Sequence, residues 1–324
     1  VVRDRRTLNI IYQIIEPPMT KKEQEYRDEI MDIFIRSLTA NIEEIDANPE
    51  AYIRTAMDKV IKSYGMKINK KSKSKIFYYL RRDLIGYGQM DVLMNDANVE
   101  DISCDGTNVP IFAYHRKFES VETTCVWPND DLLESYVIKL AQRCGKHISV
   151  ADPLLDATLM DGSRIVMKLG HEISTRGSTF CIRRFRDDPF SPCDLIAFRT
   201  MTSLMVAYLW VAFQQGVSML YVGGTASGKT TTLNAMCIFI PWQMKIVSIE
   251  STREVNIPQP NWIPGLTRQG FGGESNEGEI GEFELLKAAL RERPEYIIVG
   301  EIRGAEAYVP VSYTHLTLPT NREV

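Results

Sequence analysis

The segment Gly223–Thr230, GGTASGKT, constrains this 324-residue chain most, because it matches Gly-x-x-x-x-Gly-Lys-Thr in full. Its glycines let successive backbone N–H groups curl around an anion, and a helix starting at Lys229 adds the positive end of its dipole. The motif needs a strand before it and a helix after it. Met219–Val222 is the expected strand and Lys229–Phe239 the expected helix. Gly223, Gly224, Thr225, Ala226, Ser227, Gly228, Lys229, Thr230 and Thr231 are thus the candidate nucleotide-binding residues. In this pattern Lys229 reaches the β- and γ-phosphates and the Thr230 hydroxyl ligates Mg²⁺, so ATP and Mg²⁺ are the expected ligands.

From Leu195 onward, apolar β-branched runs at Met219–Val222, Lys245–Glu250 and Tyr296–Glu301 alternate with helical stretches. That alternation predicts an α/β P-loop domain with a mostly parallel sheet and helices on both faces. Ahead of it, Ile76–Arg186 mixes helices with short strands, with Asp105-Gly106 and Asp161-Gly162 as turns, and reads as a smaller α/β domain. Leu132–Cys144 carries a helical stripe stopped by Gly145. The stretch to about Lys75 reads as a mainly helical extension. It opens with the apolar run Leu8–Ile15, closed by Glu16-Pro17-Pro18. Thr20 then caps a helix, with Glu23 three residues on and Tyr26, Ile30, Ile33, Phe34 and Leu38 at helical spacing. A second helix fits Pro49–Tyr64, and the basic run Asn69–Lys75 reads as a solvated helix start. Asp187–Pro192, with two prolines, is the expected linker. The expected domains are therefore 1–75, 76–190 and 191–310, followed by the segment 311–324.

A net charge of −4 gives no overall basic field, which argues against nucleic acid as the main partner. The six cysteines (Cys104, Cys125, Cys144, Cys181, Cys193, Cys237) form no C-x-x-C pair and read as small buried apolar side chains. The most apolar stretch, Leu204–Phe213, is shorter than the roughly 20 residues a bilayer span needs and is expected to be a buried helix. The chain opens on Val1 rather than Met, so residues before it are expected to be missing, and any membrane contact is expected to be peripheral.

Two acidic residues close later strands: Glu250 after Lys245–Ile249, and Glu301 after Tyr296–Gly300. Strand C-terminal ends line the ligand crevice of a parallel sheet. One acid there could activate the attacking water and the other could hold Mg²⁺ through a water.

These residues carry a resemblance. Gly223–Thr231 (GGTASGKTT), Ser248–Glu254 (SIESTRE) and Arg293–Ala307 (RPEYIIVGEIRGAEA) resemble the ATPases of type II and type IV secretion, type IV pili and the archaeal swimming filament. Asp101–Gly106, Leu140–Val150, Asn261–Arg268 and Ile15–Pro18 resemble the archaeal branch. The resemblance implies a RecA-like motor domain behind a smaller N-terminal domain, a homohexameric ring, a polytopic membrane platform partner and a cytoplasmic site on the membrane's inner face. Pilin-like or secreted proteins would be served indirectly. It implies Glu250 as the catalytic water activator, Glu301 in the second acidic strand with Thr230 toward the metal, and Lys229 on phosphate. It also implies basic side chains completing the site, for which Arg164, Arg176, Arg183, Arg184 and Arg303 are candidates. Two departures from the family stand out: Ser251 replaces the usual Asp after Glu250, and Val311–Thr320 stands where relatives continue into a helix and a histidine-containing box; Gly300 also takes the place that P-loop enzymes usually give to Asp before Glu.

Val311–Thr320 (VSYTHLTLPT) is identical to one translated frame of a transposon-type sequencing adapter, so native sequence is expected to end at Val309. On that expectation His315 is not the family's phosphate-sensing histidine, and this chain binds nucleotide with little hydrolysis. Two alternatives stay open: a DNA-transfer motor, and an ATP-binding scaffold that does not turn over.

Overall fold

The computed structural model describes residues 1–3, 10–37, 48–185, 189–224, 227–268, 278 and 280–300. The chain divides into two compact units, Val1–Ala157 with Ile165–Arg184, and Thr158–Arg164 with Phe185–Val324.

The first unit carries an eight-stranded sheet. Its strands are β1 (Val2–Arg3), β2 (Ile10–Tyr12), β3 (Val99–Cys104), β4 (Pro110–His115), β5 (Glu119–Val126), β6 (Leu154–Thr158), β7 (Arg164–Lys168) and β8 (Thr179–Arg183). Their order is β1-β2-β5-β4-β3-β8-β7-β6. β1–β2, β5–β4, β4–β3 and β3–β8 pair antiparallel, and β2–β5 pairs parallel. The turns joining β3 to β4 and β4 to β5 are too short for a crossover, which forces those pairs antiparallel. Gly106, at φ +127°, makes the first turn, where a Cβ would meet the Arg176 carbonyl oxygen at 2.4 Å.

Three helices form a subsidiary core in this unit. α1 (Lys21–Ser37) opens in the expected capping box. The Thr20 N–H donates to Glu23 Oε2 at 2.7 Å and the Glu23 N–H to Thr20 Oγ1 at 3.3 Å. α2 (Pro49–Ser63) and α3 (Lys70–Leu84) are capped by the side chains of Asn48 and Asn69. Ile30, Phe34, Ile53, Met57, Ile76 and Leu80 pack together between the three; Leu38 lies outside the described residues. The basic run at the start of α3 is partly neutralised, by Lys73 on Asp58 at 2.5 Å and by Lys75 on Glu23 at 3.3 Å. A short α4 (Asp91–Asn95) and the longer α5 (Asp130–Arg143) are the other α-helices among this unit's described residues. The strap after β2 is fastened at both ends. The Ile14 N–H donates to Thr124 Oγ1 at 3.0 Å, and Arg82 Nη1 grips both Glu16 oxygens at 2.8 and 2.7 Å.

The second unit contains α6 (Pro192–Ala197), α7 (Ser203–Gln214), α8 (Lys229–Cys237), β9 (Ile246–Glu250), β10 (Trp262–Leu266), α9 (Glu282–Arg291) and β11 (Tyr296–Val299). Its sheet has three parallel strands in the order β10-β9-β11. All five residues of β9 are buried, as expected of a central strand covered on both faces.

Three expectations are corrected here. The described fold is not a RecA-like, mostly parallel sheet: the larger sheet is mixed and largely antiparallel, with β2–β5 as its parallel pair among the printed pairings, and the three short strands of the second unit pair parallel. Met219–Val222 is no strand; it has no ladder partner among the described residues, and Leu220 and Val222 are 78% and 83% exposed. Leu204–Phe213 is helical but not buried: α7 turns Val206 and Phe213 inward and leaves Leu204, Tyr208 and Val211 exposed. Of the cysteines, Cys104, Cys125 and Cys237 are buried, whereas Cys181 and Cys193 are exposed.

No helix among the described residues is long and apolar enough to cross a membrane. Leu80 is fully buried and Leu204 is 80% exposed. Leu80→Ala is therefore expected to cost about 2–5 kcal/mol in urea denaturation and Leu204→Ala within about 0.5 kcal/mol. Equal effects would contradict this division.

Candidate functional site

Gly228 governs the start of α8. It sits at φ +83° as the helix N-cap, a left-handed conformation that side chains strain to adopt. Lys229, Thr230 and Thr231 follow as the first helical residues, so their N–H groups have no acceptor within the helix and face the positive end of its dipole. The Ser227 hydroxyl donates to the Gly224 carbonyl at 2.8 Å. Lys229 Nζ donates to the Gly223 and Gly224 carbonyls at 3.0 and 2.6 Å. A Cβ on Gly223 would meet Ser227 Oγ at 2.6 Å, so a side chain there would turn the Ser227 hydroxyl off the Gly224 carbonyl. Thr225 and Ala226 lie outside the described residues.

Glu250 ends β9 and is 1% exposed. Its Oε1 accepts the N–H groups of Glu254 at 2.9 Å and Val255 at 2.8 Å. Its Oε2 is buried with no partner among the described residues. Gly300 lies against it: a Cβ there would stand 3.0 Å from Glu250 Cγ. The glycine that departs from the expected second acidic strand thus makes room for the first acid. Glu301, Arg303 and the segment 311–324 lie outside the described residues, and Ser251 is exposed.

The remaining arginines have definite positions. Arg184 Nη1 donates to the Asp96 and Val99 carbonyls, and Arg183 pairs with Asp101 at 3.2 Å. Arg176 is exposed beside the Gly106 turn, and Arg164 is half-buried at the start of β7.

Sequence reasoning missed two residues near Glu250. Asn234, on the same helix as Lys229, donates Nδ2 to the Glu254 carbonyl at 2.8 Å and accepts the Asn256 N–H at 3.1 Å. The Arg253 guanidinium lies over the rings of Trp262 and Phe185, 5.4 and 5.7 Å from their centroids. The available signal for Asn234 was its type, since asparagine inside a helix is unfavourable unless its amide is used elsewhere.

Burial pushes the Glu250 carboxyl up to about 7; the Glu254 and Val255 N–H groups and Arg253 oppose this, and the Glu254 charge adds to it. The folded value lies above the ordinary 4.5, so the folded chain keeps a proton that the unfolded chain releases between those values. This contribution to stability is full below the ordinary value and is lost as pH rises to about 7, by about 3 kcal/mol at most. Glu250→Gln is expected to remove that slope in urea denaturation between pH 4.5 and 7.5, and an unchanged slope would count against it.

Comparison with known proteins places this geometry in a family. Residues 126–314, more than half of the chain, match the family model described as Type II/IV secretion system protein. The uncharacterized protein MJ0900 of Methanocaldococcus jannaschii is 38% identical over 304 residues, covering 93% of this chain and 53% of that protein. Type IV secretion system protein VirB11 of Bartonella henselae is 28% identical over 197 residues, covering 50% of this chain and 54% of that one. Among solved structures, the Legionella pneumophila ATPase DotB is similar at 16% identity and a TM-score of 0.46, covering 74% of this chain and 63% of that one. The chain spans about half the length of the curated relatives it matches. By the extent of the family match, the chain belongs to the type II/IV secretion system protein family.

Proposed function

We propose that this chain binds and hydrolyses ATP as the motor subunit of a secretion, pilus or archaellum-type machine. The carrying observation is the pairing of an anion-binding helix start at Gly228–Lys229 with a buried acid, Glu250, one of whose oxygens has no partner among the described residues. The left-handed Gly228, the first-turn N–H groups that have no acceptor within the helix and the Lys229 ammonium fit a triphosphate. Gly223, Gly224, Thr225, Ala226, Ser227 and Thr231 complete the cradle on this reading. Thr230 and Glu301 would hold Mg²⁺, which when bound supplies positive charge to the phosphates. A carboxyl raised to about 7 is suited to accept a proton near neutral pH, so Glu250 is the residue assigned to orient and deprotonate the attacking water. Arg176 is exposed, while Arg183 and Arg184 would have to exchange their present partners to reach a phosphate. Arg164 and Arg303 remain in the same candidate set.

The family supports a wider reading, in which the subunits form a homohexamer on the cytoplasmic face of a membrane. They would act on a polytopic platform protein and, through it, on pilin-like or secreted proteins. On this reading residues 1–75, 76–190 and 191–310 act as extension, N-terminal domain and motor domain.

The test is nucleotide binding by a fluorescent ATP analogue, together with phosphate release from the full-length protein. Lys229→Ala is expected to weaken binding by 10-fold or more, on the order of one lost charge-assisted contact. Glu250→Gln is expected to bind normally and to release phosphate about 100-fold more slowly. Parental release from Glu250→Gln would overturn its role, and ATP binding with no release by the parent would favour a scaffold.

A further inference from the structure

The segment after Glu250 is held from two sides. Glu250 Oε1 takes the Glu254 and Val255 N–H groups at 2.9 and 2.8 Å. From α8, the Asn234 amide takes the Glu254 carbonyl at 2.8 Å and the Asn256 N–H at 3.1 Å. The seam continues along the helix, where Gln259 Nε2 donates to the Cys237 and Ile240 carbonyls at 2.9 and 3.0 Å. Between these polar ties, Val255 and Ile257 are buried against Ala235, Met236 and Cys237. Residues 254–259 are thus seated on the helix whose first turn carries Lys229 and Thr230.

We propose that Asn234 is a positioning residue: it fixes residues 254–256 on α8, so that two backbone N–H groups hold Oε1 of Glu250 and Oε2 stays free. The catalytic consequence rests on Glu250 acting as the water activator; the positional claim does not. An asparagine amide suits the task because one group offers a donor and an acceptor across a single carbonyl-to-amide span. Among the described residues, the charged groups acting on Glu250 come from its own turn, Glu254 and Arg253, with Arg253 held over Phe185 and Trp262. Gly300, just past β11, brings backbone rather than charge, and α8 brings the neutral Asn234. Releasing the segment would loosen the two donors that favour the ionised carboxylate, while leaving the burial that disfavours it.

The experiment follows the Glu250 carboxyl by ¹³C NMR titration of the nucleotide-free chain, using Glu250→Gln to assign the signal. Asn234→Ala is expected to raise the midpoint by about 0.5 pH unit or more, the scale of weakened hydrogen bonds to a carboxylate. The acidic limb of the phosphate-release profile should move with it. kcat should fall about 10-fold from misplacement, with nucleotide Kd changed less than about 3-fold. An unchanged midpoint and an unchanged kcat would overturn the proposal. If Glu250→Gln releases phosphate at the parental rate, the catalytic reading fails, yet the titration still decides the positional claim. Should Asn234→Ala fold poorly, Asn234→Ser takes its place, and hydrogen exchange in the wild-type chain gives an independent readout. Slow exchange at the Glu254 and Val255 amides, matching α8, supports the bracket, and fast exchange at either overturns it.

Discussion

The buried carboxylate of Glu250 is the constraint around which the second unit is arranged. A strand that ends by turning an acid inward must supply donors or keep the acid neutral, since an unpaired buried charge is among the costliest features a fold can carry. Here the compromise is visible atom by atom. One oxygen is met by the backbone of the following turn, the other is left without a partner, and the proton affinity rises toward neutrality. Neighbouring features answer to that arrangement: the bare Cα of Gly300, the Asn234 amide and the aromatic seat of Arg253.

The phosphate-loop region follows a different logic. Its donors are backbone N–H groups fixed by the start of α8, and its one cation leans on two carbonyl oxygens of its own loop. Those carbonyls are good but replaceable acceptors, because a phosphate oxygen offers the same ammonium a full opposite charge. A loop built this way can exchange one set of acceptors for another with little rearrangement of its helix.

Local signals in the sequence were legible where the physics is local. The Thr20–Glu23 box, the stripe of Ile30 and Phe34, and the glycine at 228 follow from rules spanning a few residues, and the structure shows each of them. The misreadings are long-range. Met219–Val222 has strand composition but pairs with no strand among the described residues, and Leu204–Phe213 has core composition but only one face packed. The Asp-Gly turns in the first half already pointed to antiparallel hairpins, yet the parallel expectation came from the later runs alone. Arg184 and Asn234 show the same limit. Their partners are backbone atoms far away in sequence or across a turn, which residue type alone does not reveal.

The strap of Ile10–Pro18 has a consequence of its own. β2 runs parallel to β5, and the Glu16 that follows it is clasped by Arg82 from the helical subcore. Residues Ile10–Pro18 therefore act as a seam between the sheet and the three-helix cluster. Trimming the gene at the first obvious helix, near Lys21, would leave Arg82 without the Glu16 carboxylate and uncover the edge of β5, an invitation to strand pairing between copies.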